Sequence, residues 1–315
     1  MKSSLYIYKK LISSDNFNIP LQTIYKELYS PIKDKVEHKD ITEKELFEHF
    51  FLPMKFWFFK KPLMFNLTKF LAVAIYSYLE ADFDYITAIT GTEGKGKSSL
   101  TLYLISYLKQ LGIEFTWKNL VMRYTPTKNV EDILKEQKNS LWFDEAKIYF
   151  DKRESMTRER IRLNQEITAS RGLNNAYFLC LGDIDEIDKY FRERRVRSLI
   201  IIPDRKIYLH LLNLGIVGMG EDRFRLDYFN YVLRFQSNID YNSQISLLLN
   251  LPSTHGIGLF PPPQYSEFKK EYEKYYEYKM FSSRYIQSKK EPTQSDLLLW
   301  EKFLNTKKEK HKVIK

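Results

Sequence analysis

The stretch Tyr85–Leu108, YITAITGTEGKGKSSLTLYLISYL, decides how the rest of the chain is read. An apolar run of strand length climbs into a glycine-rich turn, and a long apolar-periodic segment follows. The turn GTEGKGKS fits the pattern G-x-x-x-x-G-K-[ST] through Gly91, Gly96, Lys97 and Ser98. Glycines let the backbone turn tightly, so that successive N–H groups point inward at phosphate oxygens. The helix that follows adds its positive end. Lys97 is placed to reach the β- and γ-phosphates, and Ser98 to give a hydroxyl to Mg²⁺. The expected ATP-binding segment is therefore Gly91, Thr92, Glu93, Gly94, Lys95, Gly96, Lys97, Ser98 and Ser99.

Such a loop needs a carboxylate to hold the metal. The stretch SLWFDEA supplies one, with four largely apolar residues running into Asp144 and Glu145. Asp144, at the end of a buried strand, is expected to bind the metal through water. Glu145, one residue on, is the expected general base on the attacking water. The competing reading makes the pair the N-cap of a helix.

Around this pair the chain reads as strands alternating with helices, which predicts a mostly parallel α/β sheet. Strands are expected at Asp84–Thr90, within NSLWFDEA, NAYFLCLGD and VRSLIIIP, and within IYLHLLNL as the second arm of a hairpin through PDRK. Helices are expected over 63–80, over Ser98–Leu111, and over a polar stretch, 151–171. Thr42 and Glu45 form a capping-box pattern before another helix. Three regions follow: a helical N-terminal part (1–80), the P-loop core (81–236), and a C-terminal part (237–315). The last reads as a loop, LPSTHGIGLFPPPQ, then a charged tyrosine-rich helix and a basic tail.

Residues 84–212 resemble the P-loop ATPases of the HerA/FtsK type, a group that includes DNA-pumping motors, viral genome-packaging ATPases and Zot-like assembly proteins. The stretches GTEGKGKS, LWFDEA and ASRGLNNAYFLCLGD carry the likeness. The resemblance implies a RecA-like core and a ring, usually a hexamer. It also implies that an arginine at the position of Arg171 reaches the γ-phosphate bound by a neighbouring subunit. Members of the group commonly end the next strand with a glutamine that senses this phosphate. Here Gly182 and Asp183 stand there, so Asp183, or Gln165 on the preceding helix, is left as the candidate.

The net charge is +10, which attracts polyanions but does not specify a fold. Two readings stand for the charged stretch from Lys152 to Arg197. In one, its residues pair among themselves along helices. In the other, Lys152, Arg153, Arg158 and Arg162 line a pore and grip phosphates without sequence preference. Arg192, Arg194 and Arg195 precede a strand and include a candidate second trans-acting arginine.

The single cysteine, Cys180, lies in an apolar run and excludes an internal disulfide. The five histidines show no ligand spacing. The opening MKSSLYIYKKLISSDNF lacks a signal-peptide core, and lysines interrupt the most apolar stretch, residues 50–79. The sequence therefore predicts a cytosolic protein, in a cell or in a host cell, without a transmembrane segment. The leading expectation is an ATP-hydrolysing ring motor, encoded by a virus or mobile element, that moves or packages double-stranded DNA and docks on a portal or capsid. The alternatives are a Zot-like, ATP-gated assembly protein that pumps no DNA, and a P-loop kinase.

Overall fold

A computed structural model describes residues 19–53, 64–65, 67–122, 125, 127–150, 165–167, 169–213 and 254–288. The N-terminal part is helical: α1 (Leu21–Tyr29), α2 (Lys33–Glu37) and α3 (Glu43–Phe50). The capping box opens α3 as its pattern predicts. The Thr42 hydroxyl accepts from the Glu45 amide, and the Glu45 carboxylate accepts from the Thr42 amide. A two-residue strand, β1 (Met64–Phe65), leads into α4 (Leu67–Glu80). Because α4 is apolar nearly all round, it has no solvent face and lies buried against α1, α3 and the sheet.

The chain then enters β2 (Tyr85–Thr90), followed by α5 (Lys97–Gln110), β3 (Leu120–Val121), α6 (Thr127–Ile133), β4 (Ser140–Phe143), α7 (Lys147–Phe150) and β5 (Ala176–Leu181). Next come α8 (Lys189–Arg194), β6 (Val196–Asp204), β7 (Ile207–Leu212), β8 (Thr254–Leu259) and α9 (Lys269–Ser288). The eight strands order as β1-β8-β7-β6-β2-β5-β4-β3. From β6 to β3 every pairing is parallel. β7 runs antiparallel to both β6 and β8, and β1 is parallel to β8. The P-loop strand β2 thus sits mid-sheet, with β6 and β5 on either side.

All six residues of β2 and of β5 are buried, as continuous apolar runs in a sheet covered on both faces require. Side chains alternate between two cores. Tyr85, Ile89, Trp142, Phe178 and Cys180 face α4, α5 and α9. Ile86, Ala88, Leu141, Phe143, Tyr177 and Leu179 face α6, α7 and α8.

The C-terminal part differs from its sequence reading. THGIGL, expected as loop, is the strand β8 inside the sheet. Glycines lower strand propensity, and here that signal misleads, because the glycines serve a close approach. A Cβ on Gly258 would lie 2.1 Å from Cζ of the buried Tyr208 ring. The charged helix α9 is also no appendage, since Phe268, Tyr275 and Tyr278 belong to the same core as α4 and α5. The tail after residue 288 lies outside the described residues, as does most of the expected helix 151–171.

Candidate nucleotide site

All parallel strands end on one edge of the sheet, and the residues singled out for phosphate chemistry gather there. The loop after β2 has left-handed backbone at Gly91 (φ 147°), Gly94 (φ 75°) and Gly96 (φ 107°). Gly96 is also closely approached, since a Cβ there would come within 3.1 Å of the Phe260 ring. No side chain caps the start of α5. The first-turn amides, Lys97 to Ser99, have no acceptor within the helix and point into the loop. That arrangement is an anion cradle. The Lys97 ammonium lies inside it, donating to the carbonyls of Gly91 (2.5 Å) and Thr92 (3.2 Å).

The loop is braced by the β6–β7 hairpin. Lys95 donates to Asp204 at 2.9 Å, and Arg205 Nε donates to the Gly94 carbonyl at 3.2 Å. The Lys95 ammonium, with the Arg205 amide, holds the Asp204 carboxyl below the ordinary carboxylate range. These braces carry no local motif. They arise because the turn expected from PDRK lands beside the loop.

Asp144 follows β4, which is two strands from β2, with β5 between them. At a strand spacing of about 4.8 Å that is roughly 10 Å, too far for direct contact between the strands. The first turn of α5 spans the gap, and the Ser98 hydroxyl donates to Asp144 Oδ1 at 2.7 Å. Residues 46 apart in the chain thus meet at this edge. Hydroxyl and carboxylate oxygens are the hard donors Mg²⁺ prefers, in a site that nucleotide phosphates complete. Asp144 is buried, while Glu145 is exposed at the same edge. The backbone continues into α7 rather than starting a helix at Asp144.

Of the two candidates for the missing glutamine, only one lies at this edge. Gly182 accepts from the Gly91 amide at 3.4 Å, and Asp183 follows it. The Asp183 carboxylate accepts from the Asp185 amide at 2.9 Å. Gln165 belongs to the opposite, amino-terminal edge. Two residues on, the Ile167 carbonyl accepts from Arg195, which is ion-paired with Asp84 just before β2. Arg171 is also at that edge, in a 3-10 turn (Ser170–Leu173) preceding β5. The six residues of β5, at about 3.3 Å each, put roughly 20 Å between this turn and the P-loop edge.

The arginines before β6 hold the fold together. Arg195 is 4% exposed and bridges Asp84 to Ile167. Arg192 pairs with Asp185. Arg197 pairs with Glu43 of α3 and Asp84, and burial lowers its pKa to about 10. Arg192 and Arg195 are thus spent on internal pairs, and Arg194 is exposed. Lys152, Arg153, Arg158 and Arg162 lie outside the described residues. Cys180 has the structural place expected of it, and burial pushes its thiol up to about 12.

Two features had no sequence signal. His210 and His255 meet with Nδ1 atoms 2.9 Å apart, and His210 Nε2 lies 2.8 Å from Ser198 Oγ. Burial, then the neighbouring His255, push the His210 pKa well below its ordinary value. The second feature is at the site itself. Tyr275 of α9 donates to Asp144 Oδ2 at 2.8 Å, with the Lys279 ammonium 3.6 Å from the same oxygen. Burial, followed by the carboxylate beside it, raises the Tyr275 pKa, so the phenol is the donor. Compared with family models, curated proteins and solved structures, the chain matches none. No described helix is long and apolar enough to cross a membrane.

Proposed function

We propose that the chain is an ATPase with a RecA-like core that works as a ring, its ATP turnover driving movement of double-stranded DNA. The observation that carries the ATPase reading is the Ser98–Asp144 contact at an uncapped helix start. Two motifs that are independent in sequence converge there, with one strand between those that bear them. In this reading the first-turn amides of α5 bind the phosphates and Lys97 leaves the loop carbonyls for the β- and γ-oxygens. Ser98 and Asp144 hold Mg²⁺, which when bound neutralises charge on the phosphates. Glu145, exposed at the same edge, takes the proton of the attacking water. Bond cleavage leaves ADP and phosphate.

The ring rests on Arg171. Its turn is at the edge away from its own P-loop, so a role on the γ-phosphate requires a second copy of the chain. The charge of +10 supports a polyanion as the moved polymer, held without base readout. The capsid or portal partner and the cytosolic setting come with the motor reading and rest on the sequence resemblance.

The test is ATP turnover by purified protein with and without double-stranded DNA, beside Lys97→Ala. Stimulation by DNA, absent in the variant, is the expected result. Turnover indifferent to DNA supports the assembly protein instead. Transfer of phosphate to an acceptor supports the kinase. Normal turnover by Lys97→Ala removes the P-loop assignment altogether.

A further inference from the structure

The C-terminal helix α9 starts 125 residues after Asp144, yet it closes the metal side of the site. Tyr275 is 3% exposed, and its ring stacks on Trp142 of β4 at 4.8 Å and 20°. Trp142 is two residues before Asp144, which follows the same strand. The stacking therefore fixes the phenol at the level of the carboxylate, and its hydroxyl reaches Oδ2. The other oxygen, Oδ1, is left to Ser98. One turn further along α9, the Lys279 ammonium lies 3.1 Å from the Tyr275 hydroxyl and 3.6 Å from Oδ2. Its side chain is half exposed.

These two residues differ in kind. Tyr275 is embedded, and so is Tyr278 on the same face of α9. Tyr278 stacks on Trp117, and Phe268 packs edge-on against Tyr103 and Tyr107 of α5. A helix anchored through Tyr275 and Tyr278, and through Phe268 just before it, is a wall of the site. Lys279 is a half-exposed cation, held by the Asp144 charge, one hydrogen bond to Tyr275 and the face of the Tyr275 ring.

We propose that Tyr275 is a positioning residue for metal binding, and that Lys279 is a counter-ion that the divalent metal displaces from Asp144. The proposal rests on the nucleotide-site reading above. A carboxylate with one oxygen tied by a phenol can present the other in one direction only. Ordering it beforehand reduces the conformational freedom lost when the metal binds. A hydrogen bond that orients a metal ligand in this way is commonly worth 10- to 100-fold in metal affinity. The ammonium offsets the Asp144 charge until a metal arrives, and must then give way.

The experiment titrates Mg²⁺ into full-length protein with a fluorescent, non-hydrolysable ATP analogue, reading binding by anisotropy. It is repeated in EDTA. Tyr275→Phe keeps the ring on Trp142 and removes only the hydroxyl. It is expected to raise the half-saturating Mg²⁺ about tenfold, with the affinity in EDTA unchanged. Lys279→Met is expected to lower the half-saturating Mg²⁺ severalfold, because the competing cation is gone. Thermal melting of each variant identifies loss of fold, and Tyr275→Trp serves as a second probe lacking the phenol if Tyr275→Phe melts early.

If Tyr275→Phe weakens binding equally with and without Mg²⁺, its role is structural and the inference is overturned. It is also overturned if both variants keep the wild-type Mg²⁺ dependence, and in that case the nucleotide site itself stands. If the wild-type protein binds no analogue under any condition, the nucleotide reading fails and takes this inference with it.

Discussion

The sheet has two halves that use the same kind of strand for different ends. On one side, β6-β2-β5-β4-β3 are parallel, so every carboxyl end falls on one edge. The polar residues there, Lys97, Ser98, Asp144 and Glu145, come from loops that one short strand or helix turn can position. On the other side, β7 and β8 are antiparallel and β1 pairs with β8. That half buries its polar residues instead, in the His255–His210 pair, which reaches across to Ser198 of β6, and in the Thr68–Tyr208 contact. Parallel pairing gathers strand ends and makes a site. Here β7 alone runs against the other strands, and the polar groups on it hold β8 and the N-terminal helices to the sheet.

The comparison can be broken by changes on either side, and the largest effects belong to the parallel half. Arg171→Ala is expected to lower ATP turnover by about 10³–10⁵ while each subunit still binds ATP. Mixing it with Lys97→Ala restores part of the activity if the arginine acts in trans. If mixed oligomers form and remain inactive at every ratio, the shared site is wrong.

Glu145→Gln is expected to cost about 10²–10⁴ in turnover with nucleotide affinity retained, because an amide takes no proton from water. Loss of nucleotide binding in equilibrium dialysis would instead make Glu145 structural or a metal ligand.

In the antiparallel wing, substitutions change stability and leave nucleotide binding alone. Gly258→Ala drives a methyl into the buried Tyr208 ring, and overpacking of this kind costs about 1–3 kcal/mol. A lowered melting temperature with unchanged nucleotide affinity is the expected pair of results. An unchanged melting temperature would mean that the wing repacks freely.

The smallest effect is a pH dependence. His210 is buried and neutral, with its pKa depressed, whereas the unfolded chain protonates it near about 6.5. Its contribution to stability is therefore complete above that value and is lost as pH falls below it, by up to about 1.4 kcal/mol per pH unit. His49, also lowered by burial, acts in the same direction. Urea unfolding at pH 7.5 and 5.5, a range in which ordinary carboxylates stay ionised, should show the lower midpoint at 5.5. Equal midpoints would contradict a buried neutral His210.

Some of this was open to reading because its signal is local. A glycine loop needs particular residues at fixed offsets, and GTEGKGKS shows them whatever surrounds it. Buried parallel strands need unbroken apolar runs, which YITAIT and AYFLCL provide. The capping box at Thr42 and Glu45 closes within a single helix turn. β8 could not be read this way, because its glycines look like breakers until Tyr208 is seen lying across one of them.

The sequence by itself determined the glycine loop, the acid after a buried strand, and a largely parallel sheet, because these follow from backbone conformation and from periodicity along short stretches. Only the tertiary structure decided which distant residues become partners. Arg195 lies 111 residues from Asp84, His210 lies 45 from His255, and Tyr275 lies 131 from Asp144. Contacts at that separation are set by which helix or strand packs beside which. A tyrosine in a charged helix carries no mark of the carboxylate it will meet. That is why the loop of this site was legible in the chain and its far wall was not.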